Sequence, residues 1–139
     1  MSEENKALYR RIIEEFGNKG DRAAVDELYS ADLVDHVAIP GNDPGNEGLK
    51  QIITSWRDAF PDLHTHIEDL IAEGDRVVAR LMFHGTHQGE FMGIPATGKQ
   101  IRVNEICIVR FADGKVVEHW EVCDYLSMMQ QLGVVSPLA

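Results

Sequence analysis

The stretch GKVVEHWEVCDYL, residues 114–126, concentrates side chains that could do chemistry. Carboxylates and imidazoles are common general acids and bases in enzymes, and an indole can form the wall of a pocket for a flat ligand. The stretch alternates like a strand, so its groups must divide between the two faces of a sheet. The groups concerned are Glu118, His119, Trp120, Glu121 and Asp124.

Alternation decides which of these groups can act together. Glu118, Trp120 and Asp124 share one face, which we expect to look into a cavity. His119 and Glu121 take the opposite face, where we expect a solvated or dimer-facing role. Trp120 is then either ordinary core or the wall of a pocket for an aromatic ligand.

Asp124 has two interpretations. A carboxylate with an ordinary pKa of about 3.9 is a poor base, but burial beside Trp120 and Tyr125 would raise its pKa and make it effective. Alternatively, Asp124 is the N-cap of a final helix that begins at Tyr125. The two roles are compatible with each other.

The first half of the chain has the apolar spacing of helices. We predict a helix over residues 3–18, a second helix capped by Asp21, and a third helix over residues 47–60 that ends before Pro61. A short extended piece, LVDHVAIP at residues 33–40, precedes the third helix.

After the third helix the period changes from helical to two. Tight-turn sequences, AEGDR and ADGK, join the strands in hairpins. Helices followed by strands are typical of the α+β class, so we expect a strongly curved antiparallel sheet that wraps the three helices as a cone with an apolar cavity. The predicted strands cover residues 63–74, 75–89, 99–111 and 115–124, and a last helix covers residues 124–133.

Bulk properties exclude several classes of function. The 139 residues suit one domain, residues 1–139, and a net charge of −10 argues against nucleic acid and anionic membrane surfaces. No apolar run is long enough for a signal peptide or a membrane span, so we expect a cytoplasmic protein. His64 and His66 share a strand face, but no third ligand lies near in sequence, so we interpret them as solvated and expect no metal.

Four segments give the chain a family resemblance. They are AFPDLHTHIEDLIAEGDRVVAR, GTHQGEFMGIPATGK, VRFADGKVVEHWEVCD and QQLG. Together they resemble the SnoaL-like polyketide cyclases, or ester cyclases, of the nuclear-transport-factor-2-like (NTF2-like) superfamily, along nearly the whole chain. The resemblance implies a curved sheet packed on three helices, in agreement with the predicted order of elements. That fold also hosts isomerases, epoxide hydrolases and pure binding proteins, so the fold alone does not define an activity.

The resemblance also implies a chemistry. Such cyclases close a ring of an aromatic polyketide ester by an intramolecular aldol step, without cofactor or metal. Asp124 matches their acid/base by its place after the EHW strand, and His36 matches a pocket histidine. Arg110 stands near the place of a second pocket histidine, and an arginine cannot shuttle a proton, so it would pair with Asp124 or bind an oxygen.

Further residues are candidates for binding an apolar, carbonyl-rich small molecule. Asn104 shares a strand face with Arg110, and two residues of the Gly-rich loop could plug or cover the cavity mouth. The candidate substrate-binding set is Arg110, Trp120, Asn104, Trp56, Phe60, Phe83, Phe91 and Met92.

The sequence is also compatible with other activities of the same fold. A binding protein of the same fold would have a pocket without turnover. An epoxide hydrolase would need a second pocket aspartate, either Asp35 or Asp69, and a ketosteroid-isomerase-like enzyme would need a tyrosine donor, either Tyr9 or Tyr29. By analogy with the superfamily we expect a homodimer that pairs through the outer face of the sheet.

Overall fold

The computed structural model describes residues 2–37 and 41–136. Within these residues the chain forms four α-helices, one π-helical segment and five strands. The helices are α1 (Ser2–Arg11), α2 (Ala23–Leu28), α3 (Gly45–Ala59) and α4 (Tyr125–Leu132), and the π-helical segment is Ile12–Asn18. The strands are β1 (Tyr29–Asp35), β2 (His64–Glu73), β3 (Arg76–Thr86), β4 (Gln100–Ala112) and β5 (Lys115–Cys123).

The α+β class and the order of elements are confirmed. Strands β2 to β5 form the predicted antiparallel meander, and the β4–β5 hairpin turns at Asp113 and Gly114, both with positive φ. The sheet order is β1-β5-β4-β3-β2, and β1 pairs with β5 in parallel, so the sheet is mixed and not purely antiparallel as expected. Strand β1 begins at Tyr29, directly after α2, and residues 38–40 of the expected extended piece lie outside the described residues.

The predicted first helix changes its winding halfway. After α1 the chain continues as a π-helix, in which the Lys19 N–H donates to the carbonyl of Glu14, five residues earlier. The Asn18 side chain then pairs with the backbone of Thr65 in both directions, at 2.7 and 3.1 Å, and attaches the segment to the edge strand β2. The apolar residues Ile12, Ile13 and Phe16 have the spacing of an α-helix, which is why the sequence predicted a single α-helix over residues 3–18.

A β-bulge in β5 sets which of its side chains point inward. Phe111 pairs with Val116, but the next residue of β4, Arg110, pairs with Glu118, so Val117 is an extra residue without a partner. An extra residue shifts the register by one, and a shift by one exchanges the two faces of every later position of the strand.

The bulge therefore reverses the predicted faces of β5. We call the sheet face that the helices cover the inner face, and the opposite face the outer face. His119 and Glu121 line the cavity on the inner face. Glu118 and Trp120 lie on the outer face, where they contact His36. The prediction that Glu118 and Trp120 face the cavity was wrong, because alternation was counted without the bulge.

The inner face is covered by two groups of buried residues. One group packs α1, the π-helical segment and α2 against the middle of the sheet, around Val25, Val77 and Val109. The other group packs helix α4 and the C-terminal end of α3 against the C-terminal end of β3 and the N-terminal end of β4, around Phe60 and Met128. The apolar residues of α3 and of the π-helical segment lie between these groups and leave space above the sheet.

Candidate active site

A cavity with two adjoining lobes lies between the helices and the inner face. We call the lobe bordered by Tyr9 and Tyr29 the tyrosine lobe, about 170 Å³, and the lobe bordered by Trp56 and Phe83 the tryptophan lobe, about 190 Å³. The residues common to both linings are Ile13, Phe16, Ile52, Ile53, Glu105 and Glu121. The walls are mainly apolar, and the acidic groups are concentrated on the sheet.

Asp35 and His119 form a hydrogen-bonded pair in the tyrosine lobe. The parallel pairing of β1 and β5 places these residues side by side, and the Nδ1 atom of His119 lies 3.1 Å from Oδ1 of Asp35. Burial raises the pKa of Asp35, but the bonds from His119 and from the Val37 N–H outweigh it and leave the pKa lowered. Asp35 is therefore ionised at neutral pH and orients the imidazole.

Glu105 and Glu121 form a carboxyl pair where the two lobes meet. Burial, followed by the charge of Glu121 and the hydrogen bond between the two side chains, raises the pKa of Glu105 to about 9. At neutral pH Glu105 is thus protonated, and the pair holds a proton that can be shared. Two adjacent carboxyl groups in a desolvated site cannot both ionise, as in other acid/base dyads.

The imidazole connects the two pairs. His119 Nε2 lies 3.9 Å from Oε1 of Glu121, too far for a hydrogen bond but close enough for a charged imidazolium to attract the carboxylate. A row of Asp35, His119, Glu121 and Glu105 thus crosses the sheet at the cavity. Such a row can take a proton from one atom of a ligand and return a proton to another atom.

The cavity also contains a thiol and a phenol that are not poised to react. The Tyr9 hydroxyl and the Cys107 Sγ atom lie 2.8 Å apart in a buried contact. Burial raises the pKa of Cys107 to about 12, so the sulfur is a thiol at neutral pH and a poor nucleophile. Burial likewise raises the pKa of Tyr9 and Tyr29 above the usual range, so both phenols keep their protons.

Two of the predicted binding residues line the cavity. Trp56 and Phe83 border the tryptophan lobe, with ring centroids 5.2 Å apart in an edge-on arrangement. Phe60 and Phe91 pack behind Trp56 as buried core, with Phe91 4.4 Å from the indole. Met92 stands at the tip of a tight turn between Phe91 and Ile94 and is 73% exposed.

Three other predicted site residues lie together on the outer face. His36 stacks on Trp120, with centroids 4.9 Å apart, and its Nε2 atom lies 2.8 Å from Oε2 of Glu118. Arg110 donates from Nε to Oε1 of the same carboxylate at 3.1 Å. The expected pairing of Arg110 with Asp124 was therefore wrong, because Arg110 points away from the cavity and Glu118 is its direct neighbour across the hairpin.

Asp124 and Asn104 share an open groove on the outer face. The Asp124 Oδ1 atom accepts a hydrogen bond from the Ser127 N–H at 3.1 Å, which confirms the predicted N-cap of α4. The Asp124 side chain is exposed, so the expected burial beside Trp120 and Tyr125 was wrong. A role of Asp124 as acid/base stays a prediction.

One of the acidic residues of the cavity, Glu105, could have been identified from the sequence. Every second residue of β4 from Ile101 to Phe111 is apolar, except Glu105. A lone carboxylate on the buried face of a strand is costly unless it has a partner or a function. The same criterion could not find His119 and Glu121, because only the bulge brings them inward.

Metal-binding groups and membrane-spanning helices were sought among the described residues. Among residues 2–37 and 41–136, no group of three or more histidine, cysteine or acidic side chains is arranged to hold a metal ion. Over the same ranges, no helix is both long enough and apolar enough to cross a bilayer.

The sequence profile of one family, described as SnoaL-like polyketide cyclase, matches residues 7–132. The aklanonic acid methyl ester cyclase DnrD of Streptomyces peucetius is 32% identical over 130 residues, which cover 91% of this chain and 88% of DnrD. The nogalonic acid methyl ester cyclase of Streptomyces nogalater is 27% identical over 119 residues, 84% of this chain and 88% of that protein. The solved structure of TsrD from Streptomyces laurentii superposes with a TM-score of 0.88 at 30% identity, covering 97% and 98% of the two chains.

The fold and the cavity define a small α+β protein of the nuclear-transport-factor-2-like type, with an acidic cavity beneath its helices. The chain belongs to the SnoaL-like polyketide cyclase family and is a cyclase-like enzyme.

Proposed function

We propose that this chain closes a ring in a polyketide methyl ester by an intramolecular aldol reaction, without a cofactor. The single observation that carries the proposal is the Glu105–Glu121 pair, a carboxyl and a carboxylate that share a proton where the two lobes meet. The substrate class is suggested by the two related methyl ester cyclases.

The pair can supply both proton transfers of the reaction. The Glu121 carboxylate takes a proton from a carbon between two carbonyl groups, and the resulting enolate carbon attacks a second carbonyl carbon to form the new C–C bond. The alkoxide formed there takes the proton of Glu105. Transfer of a proton from Glu121 to Glu105 through their hydrogen bond then restores the starting state.

The other polar residues would hold this pair in place. Asp35 orients His119 through Nδ1, which leaves Nε2 directed at Glu121. The neutral phenols of Tyr9 and Tyr29 border the same lobe and contribute no charge that would compete for the proton.

The tryptophan lobe would bind the aromatic part of the substrate. Trp56, Phe83 and Phe16 line it, and aromatic rings favour edge-on and offset contacts with a flat ligand. The volumes of the two lobes together exceed the roughly 300 Å³ at which small-molecule pockets begin. The ester carbonyl would then lie at the shared carboxyl pair, between the lobes.

The experiment is a ring-closure assay with aklanonic acid methyl ester, followed by chromatography. We expect Glu121→Gln to lower kcat by about 10²–10⁴-fold, because general base catalysis contributes about that much. Asp124→Asn is the decisive comparison: an amide retains the helix cap but cannot act as a base. If Asp124→Asn removes activity and Glu121→Gln does not, the proposal fails, and Asp124 with His36 carries the chemistry as the family resemblance implied.

Arg110, the arginine considered for an epoxide hydrolase, does not lie in the cavity. Such an enzyme needs an arginine between two aspartates in the cavity, and Arg110 lies on the outer face bound to Glu118. Asp69, one candidate for the second aspartate, is exposed and pairs with Arg80. Asp35, the other candidate, does line the tyrosine lobe, but its partner there is His119.

We also propose that the enzyme is a cytoplasmic homodimer that pairs through the outer face. Ile106 and Val122 pair across the hairpin and are 50% and 79% exposed there, and Trp120 lies two residues before Val122 on the same strand. Apolar side chains in a contiguous exposed group often mark a protein interface. Sedimentation of Val122→Asp against the unmodified chain tests this: the variant should be monomeric where the parent is dimeric, and a monomeric parent overturns the proposal.

A further inference from the structure

Three imidazoles lie together on the β2–β3 hairpin, away from the cavity. His64 pairs with His84 across the hairpin, and His66 is on the same face of β2 two residues further on. The ring centroids are 4.5 Å apart for His64 and His66, 5.9 Å for His64 and His84, and 5.2 Å for His66 and His84. The sequence alone revealed only the first two rings as neighbours, because His84 comes from another strand.

Two of these rings point the same nitrogen at each other. The Nε2 atoms of His66 and His84 are 3.1 Å apart. Two nitrogens bound to one tetrahedral zinc ion, each at roughly 2.0–2.1 Å, are about 3.3 Å from each other. The observed distance differs from this value by only a few tenths of an ångström, so a small ring movement would be enough to admit an ion.

Between two neutral rings, such a contact is a hydrogen bond in which one ring donates from Nε2 and the other accepts. A metal ion could take the place of the shared proton, provided that the donor ring moves its proton to Nδ1. Each ring would then present a lone pair at Nε2, which is the ordinary form of a histidine ligand. The exchange needs no net loss of a proton from the protein.

One neighbouring carboxylate, that of Asp62, is already engaged in hydrogen bonds. Asp62 borders a small surface pocket with His84, but it accepts hydrogen bonds from the N–H and the hydroxyl of Thr86 at 2.7 and 2.8 Å. The two ligand atoms that already face each other are nitrogens. Imidazole suits zinc, copper and nickel, whereas magnesium and calcium prefer oxygen.

We propose that His66 and His84 form a two-imidazole site for a divalent transition metal such as Zn²⁺, bound through their Nε2 atoms, with water completing the coordination. Within the described residues no three ligands are already arranged around one point, so the site is a two-ligand chelate. The ion would connect the edge strand β2 to β3. The proposal does not depend on the cyclase reaction.

The test is a titration of the full chain with ZnCl₂, monitored by calorimetry and by the ¹⁵N signals of the histidine rings. We expect saturable binding that moves the Nε2 signals of His66 and His84, with no response to MgCl₂. His66→Ala and His84→Ala should each weaken zinc binding by at least about tenfold, a loss that even indirect changes around a metal can cause. His66 is exposed, so its replacement leaves the core intact.

His36→Ala is the matched control, because His36 is a surface histidine that stacks on Trp120, outside the hairpin. Zinc affinity should be unchanged in this variant. The proposal is overturned if zinc does not bind, or if binding is equally strong in His66→Ala and His84→Ala. A zinc-dependent rise in the unfolding temperature, absent from His84→Ala, would give an independent confirmation.

Discussion

The two faces of the β4–β5 hairpin carry the same side-chain chemistry with opposite outcomes. On the inner face, burial and the neighbouring Glu121 raise the pKa of Glu105 to about 9. On the outer face, hydrogen bonds from His36 and Arg110 lower the pKa of Glu118. One carboxyl group is therefore kept protonated and the other ionised, a few residues apart across the same hairpin.

Residue type alone therefore does not determine which carboxyl group of this hairpin can exchange a proton with a ligand. An ion pair with a nearby cation makes Glu118 an inert anion, whereas a like-charged neighbour and the loss of water make Glu105 a proton donor. Glu105 and Glu121 can exchange a proton with a ligand at neutral pH, and Glu118 cannot do so without breaking two bonds. The register of one strand decides which carboxylate takes which role.

A new carboxylate on the inner face is expected to have the largest effect. Val109 is 1% exposed on β4, so Val109→Glu buries a charge that has no partner. We expect a loss of about 3–5 kcal/mol in the free energy of unfolding, measured in urea. Asn104→Glu places the same group on the exposed outer face of β4 and should cost at most about 1 kcal/mol. Equal losses in the two variants would show that the face of the sheet does not control what a carboxylate costs.

The free energy of unfolding should depend on pH differently for Glu105 and for Glu118. Glu105 has a folded pKa of about 9 and an ordinary value of 4.5, so between these pH values the folded chain holds a proton that the unfolded chain has lost. Stability therefore falls as pH rises through this range, by at most about 1.4 kcal/mol per pH unit from this group. Glu105→Gln should lack this fall, as measured by urea unfolding at several pH values.

Glu118→Gln is the matched variant on the outer face. Because the folded pKa of Glu118 is lowered, its contribution is present above the ordinary value and is lost only as pH falls through the folded one. Between pH 5 and 9, roughly, the slope of Glu118→Gln should equal that of the parent. Equal slopes in all three proteins would contradict the protonated state of Glu105.

Removal of the outer-face indole is expected to have the smallest effect. Trp120 stacks on His36 and lies under the Arg76 guanidinium, whose Cζ atom is 5.0 Å from the ring centroid. Aromatic and cation–π contacts at exposed sites contribute about 1 kcal/mol each, so Trp120→Ala should cost about 1–2 kcal/mol. Ring closure should continue at nearly the parent rate, and a loss comparable to that of Glu121→Gln would place the indole in the reaction.

Much of the fold could be predicted because its signals are local. The change of hydrophobic period after Pro61 marks the passage from helices to strands, and Asp113–Gly114 marks a hairpin. The parallel pairing of β1 was missed, because it joins residues more than eighty positions apart and no local pattern encodes it. The π-helical segment was missed because its apolar spacing matches that of an α-helix.

The candidate site was predicted less well than the fold. Trp56 and Phe83 were expected at the cavity and line it, since they lie on the apolar side of their elements. His36 was expected there and lies outside, one residue from Asp35, which lines the cavity. At the end of a strand a displacement of one residue changes the face, so a site assigned by alternation is sensitive to the smallest error in register.

By itself the sequence determined the class of fold, the four-stranded meander, the cap of the last helix and the family to which the chain belongs. These features depend on periodicity, turn residues and motifs, all of which act between near neighbours in the chain. Which acids meet depends on long-range packing, because the bulge at Val117 and the parallel pairing of β1 bring Asp35, His119 and Glu121 to one face. The raised pKa of Glu105 follows from that meeting, since burial and a like-charged neighbour exist only in the folded chain.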